Sequence, residues 1–162
     1  MRTIIKILFL SIISIITSIS FTSCSNDNDG DTTPPAINLT APAEGAVLKI
    51  GSDIHFDMEL SDNEMLSSYK VEIHHNFDGH NHTKSLKAED GTTAFAFQKI
   101  WSVAGQKTAK IHHHEIIIPE NATPGNYHLM VYCTDAAGNE SYVARNIVLS
   151  HDGEDDDHDH DH

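Results

Sequence analysis

The sequence predicts an all-β fold, an immunoglobulin-like (cadherin- or fibronectin III-like) β-sandwich of about seven strands spanning residues 36–150. Three observations predict it. Short runs alternate apolar and polar residues, the pattern of half-buried strands. Clusters of Gly, Pro, Asn and Asp separate these runs and supply the turns. No stretch of useful length carries a helical apolar period. The segment holds about 115 residues, enough for one domain with a sizeable core.

The strands follow in order. Ala36 to Thr40 makes the first, closed by Ala41-Pro42-Ala43-Glu44-Gly45, and Ala46 to Ile50 continues it. Ile54, Phe56, Met58 and Leu60 then alternate with His55, Asp57 and Glu59. After the Asp62-Asn63-Glu64 turn, Tyr69, Val71 and Ile73 alternate with Lys70, Glu72 and His74. Thr92 to Val103 reads as a strand with Phe95, Phe97 and Trp101 on one side. Ala109 to Ile118 is a strand stopped by Pro119, which cannot donate to a ladder. Tyr127, Leu129, Val131 and Cys133 alternate with His128, Met130 and Tyr132. Asp135-Ala136-Ala137-Gly138-Asn139 turns tightly into the last strand, Ser141 to Leu149.

The ends of the chain have other roles. Arg2 and Lys6 supply a positive start to Ile4–Ile19, a run that is apolar apart from Ser, Thr and Lys6 and is followed by Phe21-Thr22-Ser23-Cys24. This is the pattern of a secretory signal, and no basic stop-transfer flank follows it. Phe-Thr-Ser-Cys resembles a bacterial lipobox, with Phe21 where Leu is usual. The resemblance implies a lipoprotein signal peptide over residues 1–23 and a lipid anchor on Cys24. Ser25 and the acidic residues after it resemble the surface-export signal of Bacteroidota lipoproteins, which implies the cell surface, on the outer leaflet of the outer membrane. Residues 24–35 are expected to be a flexible linker, and Asp31-Thr32-Thr33 resembles a Bacteroidota O-glycosylation acceptor. The chain has two cysteines, so lipidation of Cys24 leaves Cys133 without an intramolecular partner, as a small buried hydrophobe.

Residues 151–162 form an Asp/His tail, expected to be disordered because it cannot bury a core. It carries seven of the chain's 24 acidic residues and half of its net charge of −14. Such a charge repels phosphate and argues against nucleic acid as a partner, while it suits the capture of cations.

Histidine is the outlying residue type, with 13 copies. Neutral imidazole is the commonest side-chain ligand of borderline metals. The candidate ligands are His74, His75, Asp78, His80 and His82 in one stretch, with His112, His114 and His128 elsewhere. In a sandwich the strand ending at His75 pairs antiparallel with the strand beginning at Tyr127. His74 and His128 then become outward cross-strand neighbours, at the pole from which the loop with Asp78, His80 and His82 departs. His75 should face away from His74 or cap the strand's inner edge. Around His112 the phase is ambiguous: if Ile116 and Ile118 face inward so do His112 and His114, and if Ile117 does, His113 and Glu115 follow. The tetrahedral N/O ligand set suits zinc, with nickel or copper as alternatives. Against this stands the ordinary state of an outward histidine on a strand, which is solvation. His55 in particular reads as a solvated outer-face residue.

Pro34-Pro35, Ala41-Pro42-Ala43-Glu44-Gly45, Ser61-Asp62-Asn63-Glu64 and Thr134-Asp135-Ala136-Ala137-Gly138-Asn139 resemble bacterial Ig-like and cadherin-like modules. Cadherin-like modules use turns of this kind for calcium. Here Asp62, Asn63, Glu64, Asp135 and Asn139 read as Asx turns that stabilise loops locally. His74 to His82, His112-His113-His114-Glu115-Ile116 and Pro124-Gly125-Asn126-Tyr127-His128 resemble a family of Bacteroidota Ig-like surface lipoproteins of unknown function. That resemblance implies the fold and the cell surface, and no activity. The resulting expectation is a non-catalytic, membrane-anchored protein that binds a divalent metal for acquisition or for delivery to an outer-membrane transporter. The competing expectation is an Ig-like adhesin or an accessory subunit of an outer-membrane transport complex.

Overall fold

A computed structural model of the chain describes residues 30–76 and 91–153. Eight strands form two sheets, and the described residues contain no helix. They are β1 (Ala36–Ala41), β2 (Val47–Lys49), β3 (Asp53–Ser61), β4 (Leu66–His75), β5 (Phe97–Ser102), β6 (Thr108–Ile117), β7 (Gly125–Asp135) and β8 (Glu140–Ser150). One sheet has the order β1-β3-β6, the other β2-β8-β7-β4-β5. All pairings are antiparallel except β2 with β8. The sandwich is all-β, as the alternating pattern predicts.

The inward positions of the facing strands make the core. Ile54, Phe56, Met58 and Leu60 of β3 are buried against Val71 and Ile73 of β4, Leu129 and Val131 of β7, and Ile147 of β8. Each such side chain contributes roughly 1.5–3 kcal/mol by leaving water. Cys133 is buried among them as a free thiol. Burial pushes its pKa up to about 11, so it stays a neutral, inert apolar filler.

Two elements differ from the sequence reading. Ala46 to Ile50 does not prolong β1. The chain crosses to the other sheet, and β2 pairs with the last three residues of β8. The crossing uses Gly45, whose φ of +77° is open to glycine without strain and whose N–H reaches the Asn146 carbonyl. The expected strand from Thr92 shortens to Phe97–Ser102. Thr93 makes only an isolated bridge to Ala122, and the Phe95 N–H turns away to the Tyr127 hydroxyl. The domain edge also reaches back into the expected linker. Ser141 Oγ donates to the Pro35 carbonyl, and Asn139 Nδ2 to that of Asp31.

A β-bulge settles the ambiguous phase of β6. Ile54 faces Ile116 and Phe56 faces His113, so three steps on β6 match two on β3. Both phases therefore hold, on either side of the bulge. Ile116 points inward beyond it, while Ala109, Ile111 and His113 point inward before it. His113 lies stacked between Phe56 and Trp101, with ring centroids 4.9 and 5.0 Å away. Trp101 in turn stacks on Tyr69, and its N–H donates to Glu115, which also takes the Lys99 ammonium. This stack closes the side of the sandwich between the edge strands β5 and β6.

Candidate metal centre

The bulge leaves His112 and His114 both on the outer face of the three-stranded sheet. The neighbouring strand β3 presents Asp53, His55 and Asp57 on that same face, because its even-numbered residues Ile54, Phe56 and Met58 fill the core. Asp57 and His112 are register partners. His112 Nδ1–H donates to Asp57 Oδ1 at 2.8 Å, and His55 Nε2–H donates to Asp57 Oδ2 at 2.5 Å. His114 Nδ1–H donates to Asp53 Oδ2, also at 2.5 Å. The rings of His55, His112 and His114 lie against each other, with centroids 5.1–5.4 Å apart.

One ligand atom from each of His55, Asp57 and His112 falls within 4.8 Å of the others. The three differ in access: their side chains are 13, 34 and 59% exposed, so the group opens to solvent on the His112 side. The hydrogen bond from His112, supported by that from His55, holds the Asp57 carboxyl below its ordinary range. Asp57 is thus an anion at neutral pH that orients two imidazoles through one nitrogen each. Histidine–carboxylate pairs of this kind fix ring tautomers around bound metals. Beside the cluster runs a groove of about 410 Å³ lined by Asn38, Thr40, Met58, Glu59 and Lys110 as well as Asp57 and His112.

The His74 group takes a different place. His74 and His128 are cross-strand partners, as the pairing of β4 with β7 predicts, with ring centroids 5.4 Å apart and edges to faces. They lie on the outer face of the five-stranded sheet, opposite the His55–His112 cluster. The His112 and His114 rings therefore belong to a separate group. Asn76 Nδ2 donates to His128 Nε2 at 2.8 Å, which occupies that nitrogen's lone pair. His75 is exposed at the strand end, opposite Tyr127. Asp78, His80 and His82, the anchor candidate Cys24 and residues 154–162 of the Asp/His tail lie outside the described residues.

A family described as "Domain of unknown function (DUF4625)" matches residues 22–150, the whole sandwich. The chain belongs to this family. No curated protein matches it. Among solved structures, the DUF4625 chain is similar to a DUF4466 family protein from Parabacteroides merdae, at 13% identity and a TM-score of 0.48. The similarity covers 75% of this chain and 46% of that one, so the chain spans under half the length of that protein.

Sequence reasoning on the DUF4625 domain missed His55, Asp57 and Asp53 as site residues. The signal was present. His55 and Asp57, like His112 and His114, are two apart on a strand and so share a face. What was missing was the pairing of β3 with β6, which superimposes the two motifs.

Proposed function

We propose that this DUF4625 domain binds a divalent transition metal, zinc foremost, on the outer face of its three-stranded sheet. The observation that carries this reading is the convergence of His55, Asp57 and His112 within 4.8 Å, in contact with the His114 ring. Imidazole nitrogen and carboxylate oxygen are the donors that zinc, nickel and copper share. His55 and His112 would serve as ligands, Asp57 as ligand or as the partner that orients both rings, and His114 as a further ligand. Both carboxylates at the cluster already accept ring N–H groups, so the arrangement suits holding an ion more than moving a substrate proton. The net charge of −14 favours cation capture over the whole surface.

The cellular role in this proposal is capture, buffering or delivery of the metal to an outer-membrane transporter. Cys24 would hold the protein to the outer membrane by its lipid, with the domain displayed at the cell surface. The resemblance of Phe21 to Cys24 to a lipobox, and of the acidic run after it to a surface-export signal, supports that placement. Calorimetric titration of the full chain with zinc tests the binding. Submicromolar affinity, weakened about tenfold or more by H55A and by H112A, is expected. Affinity no tighter than micromolar, or affinity in both variants unchanged from the native chain, would overturn the proposal.

A further inference from the structure

A second group of ligand-type side chains lies where the chain enters the domain, and it differs in chemistry from the histidine cluster. Asp31 precedes β1, Asp62 follows β3, and Asp135 ends β7. One carboxylate oxygen from each lies within 4.8 Å of the other two. Each carboxylate is held in place by its own loop. Asp31 Oδ1 accepts from the Thr33 N–H and from Asn63 Nδ2, at 3.0 and 2.9 Å. Asp62 Oδ1 accepts from the N–H groups of Glu64 and Met65, at 2.9 and 2.7 Å. Asp135 accepts from the Asn139 N–H and from Asn139 Nδ2, at 2.8 and 2.7 Å.

These bonds engage both oxygens of Asp135 but only Oδ1 of Asp31 and of Asp62. Asp31 Oδ2 and Asp62 Oδ2 are buried, and neither has a hydrogen-bond partner among the described residues. A buried carboxylate oxygen without a donor is costly, and two beside a third carboxylate repel one another as well. Asp135 itself is only 2% exposed. Burial would raise its pKa, but the hydrogen bonds of the Asn139 turn outweigh burial and keep it anionic. The nearby ammonium of Lys107 donates to the Asn63 carbonyl at 2.7 Å. The cluster thus concentrates negative charge and orphaned acceptors at one point, and a bound cation would satisfy both.

We propose that Asp31, Asp62 and Asp135 bind calcium, and that the ion clamps the segment entering the domain to the β3–β4 and β7–β8 turns. The donor set is all oxygen, which selects hard cations over zinc or copper. Oxygens around a calcium ion at about 2.4 Å stand up to about 4.8 Å apart. Calcium also accepts irregular coordination and water ligands, whereas magnesium demands a near-octahedral shell and sheds water reluctantly. Asx turns and an ion are compatible here, because the turns use Oδ1 of Asp31 and Asp62 and leave Oδ2 for the ion, while Asp135, both of whose oxygens accept from Asn139, would share an oxygen through its second lone pair. Asp31 is the residue that changes the meaning of the two turns, since it brings the third charge from the expected linker.

The test is a pair of measurements on the full chain freed of metal. Calcium at about 10 mM should raise the Tm of the native chain by about 5 °C, with magnesium giving a smaller shift. It should also slow hydrogen exchange at the Thr33, Glu64 and Met65 amides, whose acceptors are the proposed ligands. D31N and D62N keep an Oδ1 acceptor and remove one charge. Each should lose the calcium shift while melting no lower than the native chain in chelator. Loss of the shift in H112A instead would assign the calcium effect to the histidine cluster and overturn the proposal. So would a native chain whose Tm and amide exchange ignore calcium, or variants that respond as the native chain does.

Discussion

Asp57 of β3 and His112 of β6 face each other in register, and the His112 Nδ1–H donates to Asp57 Oδ1 at 2.8 Å. The other oxygen of the same carboxylate takes the His55 ring, so one aspartate sets the orientation of two imidazoles on neighbouring strands. Removing that carboxylate should disturb a metal centre without harming the core, since Asp57 lies on the outer face. D57N is expected to weaken zinc binding by about 10–100-fold while the melting curve in chelator stays close to native. Parallel calorimetry and thermal melts check this. Unchanged zinc affinity would mean that the Asp57–His112 pair is only a surface contact.

Metal binding should depend on pH in a defined direction. Zinc requires unprotonated imidazole, so protons compete with it. Affinity at the cluster should fall by about tenfold or more between pH ~7.5 and pH ~5.5. Zinc titrations across that range provide the check, and a flat profile would exclude histidine ligation.

His113 predicts a separate pH effect on stability. Its ring is stacked between Phe56 and Trp101, and its Nε2 is buried without a partner among the described residues. Burial lowers its pKa, and the folded state therefore disfavours the imidazolium. A base with a depressed folded pKa contributes fully above its unfolded pKa of about 6.5, and loses that contribution as pH falls toward the folded value. H113F keeps a ring in the stack and removes the titration and the orphan nitrogen. In chelator, its unfolding free energy should change less between pH ~7.5 and pH ~5.5 than that of the native chain. An equally steep dependence in H113F would place the acid sensitivity elsewhere.

Tyr127 tests the accounting of the core. Its buried hydroxyl donates to the Thr123 carbonyl at 2.8 Å and accepts the Phe95 N–H at 3.1 Å. It thereby ties the segment before β5 to the loop before β7. Y127F keeps the ring and orphans both backbone groups, which should cost about 1–3 kcal/mol. Denaturant unfolding measures it, and a loss below about 0.5 kcal/mol would show that the two groups find other partners.

Much of the fold was legible because strand alternation is a local signal. The runs Ile54 to Leu60 and Tyr127 to Cys133 announce their inward faces residue by residue, and the His74–His128 pairing followed from that phase. Three features were not legible in this way. The bulge after His113 is set by the match of β6 to β3, so neither simple phase of the His112–His114 run could be right alone. The passage of Val47–Lys49 to the other sheet depends on a gap beside β8 that alternation does not report. The His55–Asp57–His112 cluster needed the pairing of two strands about 50 residues apart, although each half already carried the two-residue spacing. Along the chain, histidines crowd into His74–His82, whereas the pairing of β3 with β6 brings His55 and His112 together.

The central claim is that the three-stranded face holds the metal. A zinc-soaked crystal of the full chain, measured for anomalous scattering at the zinc edge, addresses it directly. The predicted result is a strong peak about 2.0–2.1 Å from a ring nitrogen of His55 and of His112. A peak at the His74–His128 pair alone, or none on the ordered sandwich, would contradict it.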